Sequence, residues 1–219
     1  MGVDVRIHWT FILLIGLVVF AEYSRGLETI VAGLLWILVI FSSVLLHELA
    51  HCVVAIRNDV VVDDILLLPI GGVSQMESIP KDPKKEFAIA VVGPLTSLGL
   101  AVFFAAIALL SGTTIWPPTL LGGSWIARIA WLNLLLGLFN LLPALPMDGG
   151  RLLRAALSMR EDRRLATAQA AKVARVIAVA MIAVGFVYDV WLIFIGAFIL
   201  FAVGAEQRND EADEVAKRR

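Results

Sequence analysis

Apolar residues fall in long blocks along this chain, separated by short polar stretches, and most of the blocks are long enough to cross a bilayer. The first runs from about Ile7 to Tyr23 and meets a polar break at Glu22 to Glu28. The second runs from about Thr29 to Ile56, the third from about Phe87 to Leu110 with Gly93-Pro94 inside it, and the fourth from about Trp125 to Leu142, where Pro143 and Pro146 stop it. Two more, about Ala171 to Val187 and Val190 to Val203, are separated by Tyr188-Asp189. Between the second and third blocks the pattern changes. Val60 to Leu68 is β-branched and apolar, Pro69 begins a turn, and a second short extended piece reaches Glu77. This predicts a small β-hairpin or sheet, followed by a charged loop with Lys81, Lys84 and Lys85. Irregular backbone at membrane depth has to be buried in protein or line a wet cavity. A basic helix is expected from about Arg151 to Arg164, with Arg154 to Arg164 as a solvated or headgroup-facing surface. The whole pattern predicts an all-α polytopic membrane protein: six transmembrane helices with a small membrane-associated β-hairpin or sheet after the second. Residues 1–205 form the membrane domain and 206–219 a charged cytoplasmic tail.

Composition supports one helical membrane domain: 60 % of residues are hydrophobic, and the mean hydropathy is +0.89. The first apolar run has only Arg6 before it and no convincing small-residue cleavage site after it, so it reads as a retained helix and not a signal peptide. A net charge of −1 gives no nucleic acid a reason to bind. The single cysteine, Cys52, excludes an internal disulfide framework and a Cys-rich zinc site, so any metal must be held by histidine and carboxylate. The charges also set an orientation. With six spans both termini share one side, and of the 18 Lys and Arg only Arg25 and Arg128 fall on the other. The termini are therefore expected in the cytoplasm, with the protein a multi-pass component of the cell membrane. The second span then runs from outside to inside, which puts His47 about nine residues, or roughly 13 Å, from its inner end.

The chemistry concentrates in that span, at Ser43-Val-Leu-Leu-His-Glu-Leu-Ala-His-Cys52. His47 and His51 are four apart, so on a helix both imidazoles lie on one face, one turn above the other. Two ring nitrogens so placed can share one tetrahedral zinc, and Glu48 can take the proton of a water on it; this is the His-Glu-x-x-His pattern of zinc hydrolases. A charged residue deep in a spanning helix costs about 2.5–3.5 kcal/mol on insertion scales, so Glu48 between two histidines calls for a functional reason. A catalytic zinc takes three protein ligands and keeps one position open. Apart from His8, no histidine is left to be the third. The better candidate is Asp148, in Asn140-Leu-Leu-Pro-Ala-Leu-Pro-Met-Asp148-Gly-Gly-Arg151, at the inner end of the fourth span. There two prolines break the helix and two glycines permit close backbone approach, so Asp148 can bend back towards the metal.

His47-Glu48-x-x-His51, followed about a hundred residues later by Asn140-x-x-Pro143-x-x-Pro146-x-Asp148-Gly149, resembles the site-2 protease family of intramembrane zinc metalloproteases, in its type without a PDZ insertion. Ile7-His8-Trp9 and Gly71-Gly72-Val73 are also similar to the family, and the likeness covers nearly the whole chain. The resemblance implies one Zn2+ per chain on His47, His51 and Asp148, with Glu48 as catalytic base. It also implies regulated intramembrane proteolysis: zinc-dependent hydrolysis of a peptide bond in or near a transmembrane segment of another membrane protein, with the lipid bilayer as the other partner. The family's third-span motif often reads Gly-Pro-x-x-Asn; here Ser97 stands in the place of that Asn. Expected substrate contacts are Asn140, as a hydrogen-bond donor to substrate or oxyanion, and Gly72, Val73 and Ser74 along the edge of the predicted sheet, where an unwound substrate could add as a strand.

Other readings weigh against these. A metal-ion transporter would also place His and acids in a membrane, though it usually needs a polar path across it. A non-proteolytic relative would not need Glu48. His8 is expected at the interface, Cys52 in packing, Asp63 and Asp64 as exposed strand and turn residues, and Asn133 in an inter-helix hydrogen bond. Trp116, Trp125 and Trp131 suit anchoring or packing.

Overall fold

A computed structural model of the chain describes residues 3–69, 71–76 and 82–217. Lys81 of the expected charged loop lies outside the described residues, as do Glu77 and the side chains of residues 73–76 and 206–217. The elements in chain order are β1 (Asp4–Ile7), α1 (Phe11–Glu22), α2 (Leu27–Arg57), β2 (Val62–Leu68), β3 (Gly71–Met76), α3 (Pro83–Leu110), α4 (Trp125–Asn140), α5 (Asp148–Ser158), α6 (Arg163–Gly185) and α7 (Val190–Lys217). Helices α2, α3 and α6 are long and apolar enough to cross a membrane; Trp125–Asn140 and Val190–Ala205 are apolar but shorter. Helix α1 has 12 residues, none of them buried; at about 1.5 Å per residue it is roughly 18 Å long, less than the ~30 Å of a hydrocarbon core.

The first apolar block does not begin as a helix. Asp4–Ile7 forms a strand, parallel to β2 from Asp4 opposite Asp64 to Ile7 opposite Leu67. The expected hairpin is present, with β3 antiparallel to β2, so the sheet has three strands in the order β1-β2-β3. Parallel strands need a long crossover, and here α1 and α2 supply it. The third strand also corrects the reading of Asp64. Rather than being exposed, it is 5 % accessible and pairs with Arg6, Nε to Oδ2 at 3.1 Å. The strand that covers it lies far away in sequence. Asp63 is exposed as expected.

The expected helix from Arg151 to Arg164 is likewise divided. Helix α5 ends at Ser158, and α6 starts at Arg163 and continues through the fifth apolar block. Arg154 is not on a solvated face: it is fully buried, donating from Nε and Nη2 to Glu86 Oε1 at 2.9 and 2.7 Å, while Arg163 Nη1 donates to Glu86 Oε2 at 3.0 Å. A charge run reads as a surface until a buried acid from elsewhere in the chain meets it.

The chain divides into two compact units, Met1–Ile79 with Val92–Gly137, and Pro80–Val91 with Leu138–Arg219. In the first, Cys52 of α2 is buried with Ile65 and Leu67 of β2, so the sheet packs on α2 and Cys52 serves packing, as expected. In the same unit the guanidinium of Arg128 lies against the indoles of Trp36 and Trp125, 3.9 and 4.7 Å from the ring centroids, where the two rings meet edge to face. Trp131 Nε1 donates to Ile115 O. In the second unit, Ala170, Ala171, Ala174 and Ala178 of α6 are buried against Ile199 and Val203 of α7. Small residues let the two backbones close: a Cβ on Gly196 would stand 2.6 Å from Ala178 O.

Candidate metal centre

Helix α2 presents Ser43, His47 and His51 at intervals of four, and all three are buried. The imidazoles meet at their Nε2 atoms, 3.2 Å apart. Two nitrogens each ~2.0–2.1 Å from one tetrahedral zinc would be about 3.3 Å apart, so the pair is already spaced for a shared ion. On α3, a Cβ added at Gly93 would stand 2.1 Å from His51 Nε2 and 2.7 Å from His47 Nε2. The bare glycine leaves open the space against which both donor atoms face. One turn further along α3, the Ser97 hydroxyl lies 2.9 Å from His47 Nδ1. Glu48, half-buried, is backed by β3: a Cβ on Gly72 would be 2.6 Å from Glu48 Cγ. Gly72, expected from the sequence as a substrate contact on the sheet edge, thus packs against the Glu48 side chain, a contact that the sequence reading did not include.

The carboxylate is delivered by a tight turn. Helix α4 ends at Asn140, and Met147 is extended before α5 begins at Asp148. The Met147 carbonyl accepts from Gly150 N at 3.0 Å and Arg151 N at 3.2 Å, which starts the helix. A Cβ on Gly149 would lie 2.3 Å from the carbonyl oxygens of Leu141 and Leu142, and one on Gly150 2.3 Å from Leu145 N. The two glycines after Asp148 therefore let α5 seat directly on the preceding backbone, which fixes where the carboxylate starts.

His47, His51 and Asp148 are all buried, and one ligand atom from each lies within 4.8 Å of the others. Among the described residues they form a group that could hold a metal ion. The donor set of two imidazoles and a carboxylate suits zinc, and the space opposite Gly93 fits an ion there. His8 stands outside the group; its Nδ1 is 2.8 Å from Thr10 Oγ1. Asn140 is the half-buried last residue of α4. Val73 and Ser74 pair with Leu66 and Ile65 in the ladder. Asn133 does bridge helices, donating from Nδ2 to Ser43 Oγ at 3.1 Å. Gly93 and Ser97 were visible in the sequence only as a motif; their spacing of four put them on one helix face, but nothing local said which face met the histidines.

Apolar helices long enough to cross a membrane thus occur together with a buried His-His-Asp donor group, two of whose members come from the His-Glu-x-x-His pattern on α2. The chain belongs to Peptidase family M50, which it matches over residues 35–121 and 123–185. It is 39 % identical over 218 residues to a zinc metalloprotease of Methanocaldococcus jannaschii, covering 99 % of this chain and 61 % of that protein. It is 38 % identical over 229 residues to Rip3 of Mycobacterium tuberculosis, covering 94 % of this chain and 56 % of Rip3. The chain thus spans about three fifths of the length of these relatives. Among solved structures, it resembles the site-2 protease from Methanocaldococcus jannaschii with a TM-score of 0.67 and 34 % identity, covering 94 % of this chain and 91 % of that one.

Proposed function

We propose that the protein is an intramembrane zinc endopeptidase that cuts a transmembrane segment of another membrane protein near the cytoplasmic side. The observation that carries this is the buried His47, His51 and Asp148 group with Glu48 next to it in sequence on the same helix. The imidazoles of His47 and His51 and the Asp148 carboxylate would hold the ion. Bound there, zinc would polarise a carbonyl and ease deprotonation of a water. Glu48 would accept a proton from the attacking water as its oxygen adds to the scissile carbonyl carbon, and would return it to the amine nitrogen as the C–N bond breaks. Gly72 holds the Glu48 stem in place from the β3 side. Asn140 donates to the substrate or to the developing oxyanion.

A substrate helix hides its amides in its own hydrogen bonds, so it must unwind before it is cut. Strand β3 is an edge strand among the described residues, and its backbone passes Glu48 at Gly72. The unwound segment adds along β3, from Gly72 through Val73 and Ser74, held by main-chain hydrogen bonds. Proline placed in β3 where the N–H points away from β2 should cut cleavage at least tenfold and leave zinc content unchanged; cleavage at the wild-type rate would remove β3 from substrate binding.

The domain reading follows the same lines. Residues 1–205 form the membrane domain with six crossings, and 206–219 a cytoplasmic tail, with both termini in the cytoplasm and the protein in the cell membrane. The 60 % hydrophobic composition and the charge asymmetry support this. The experiment that tests the activity is cleavage of a transmembrane reporter by purified protein in liposomes. Cleavage should stop with chelator, return with zinc, and be lost in Glu48→Gln while zinc stays bound. Zinc flux into the liposomes that survives Glu48→Gln, with no cleavage by the wild type, would favour a transporter instead.

A further inference from the structure

The Ser97 hydroxyl lies 2.9 Å from His47 Nδ1, and both groups are buried, Ser97 completely. The other nitrogen of the same ring, Nε2, faces His51 Nε2 at 3.2 Å. A neutral imidazole carries one ring proton, and the nitrogen without it is the one that can bind a metal. A hydroxyl can donate or accept, so the direction follows from the other nitrogen: an Nε2 that binds a metal must be unprotonated, and the ring proton then lies on Nδ1, where it donates to Oγ. That leaves the Nε2 lone pair directed at the point the two rings share.

We propose that Ser97 is a positioning residue for the metal centre: its hydroxyl accepts the Nδ1 proton of His47, which fixes the ring's tautomer and rotation so that Nε2 is ready to bind zinc. The inference rests on the reading of His47 as a zinc ligand. Helix α3 then backs the centre twice on one face. Gly93 keeps the ion's space free of side chain, and Ser97, one turn on, holds one ligand. A hydroxyl is short enough to reach Nδ1 from a helix that packs closely at Gly93, where a longer amide would need more room. Partners that orient a ligating histidine typically affect metal affinity by about 10- to 100-fold.

The test is zinc affinity by chelator competition on the full chain in detergent, comparing wild type, Ser97→Ala, Ser97→Thr and Ser43→Ala. Ser43 is the control. It is another buried hydroxyl, on the His47 face of α2, but it accepts from the Asn133 amide and not from an imidazole. Ser97→Ala should weaken zinc binding about 10- to 100-fold with an unfolding midpoint close to the wild type's. Ser97→Thr, which keeps the hydroxyl, should recover most of that affinity, and Ser43→Ala should bind as the wild type does. Wild-type affinity in Ser97→Ala, or an equal loss in Ser97→Ala and Ser43→Ala, would overturn the assignment. A wild type that binds no zinc would instead overturn the metal reading beneath it, so the two failures are told apart.

Discussion

Two glycines set the limits of the centre. Gly93 is the sharper, because any Cβ there would sit within 2.1 Å of a ring nitrogen. Gly93→Ala should lower zinc affinity at least tenfold, read by chelator competition; unchanged affinity would mean the ion lies elsewhere. Gly72 presses on Glu48 rather than on the histidines. Gly72→Ala should therefore retain zinc but lower kcat, by up to about a hundredfold if the carboxylate moves by an ångström. The contrast between the two variants separates holding the ion from moving the proton. Away from the centre, Arg154 and Glu86 are both buried, at 0 % and 2 % side-chain exposure. Removing Arg154 leaves the buried Glu86 carboxylate with Arg163 alone, on its other oxygen, so the cost falls below the roughly 3–5 kcal/mol of a buried charge left with no partner. Arg154→Ala should still lower the unfolding midpoint beyond a surface Arg164→Ala. These residues divide what could be read from the sequence. His47, Glu48 and His51 declare themselves because helical spacing alone puts them together. Gly93, Ser97, Asp64 and Arg154 do not, because each takes its meaning from a partner tens of residues away.

At the level of elements, the same division holds. The long helices were legible as apolar blocks, and the β2–β3 hairpin from the change of period between α2 and α3. Strand β1 was not, since four residues leading into an apolar block carry no period of their own and the partner strand begins some 55 residues on. The boundary between α5 and α6 was also missed, because the basic residues run on across it with no proline or glycine to mark a stop. The turn from Asn140 to Asp148 was legible, since its prolines end α4, and the structure adds why both glycines are needed. Gly149→Ala or Gly150→Ala would drive a Cβ into backbone at 2.3 Å. Either variant should lose zinc along with a lowered unfolding midpoint, because α5 can no longer seat where it begins; normal zinc content in both would show that the turn has slack the structure does not suggest.

For the whole molecule, the number of crossings decides which loops face which side of the bilayer. Helices α2, α3 and α6 are long enough to cross, and α4 and the apolar part of α7 are shorter. A crossing by every apolar block places the 111–124 loop outside and residue 160 in the cytoplasm. Cys52 is buried, so it is a weak background for labelling. A cysteine introduced at Thr119 should react with an impermeant maleimide on intact cells, and one at Arg160 only after lysis; the reverse pattern would invert the topology. Membership of the M50 peptidases accounts for the donor group and the apolar helices together, and neither depends on the orientation.

The reaction proposed for this chain depends on one zinc held between His47, His51 and Asp148. Tightly bound zinc per purified chain, measured for wild type beside Asp148→Ala, tests it most directly. About one zinc is expected in the wild type and a large loss in the variant, as for a site with three protein ligands. Zinc retained in full by Asp148→Ala, or no zinc in a wild type purified without chelator, would contradict it.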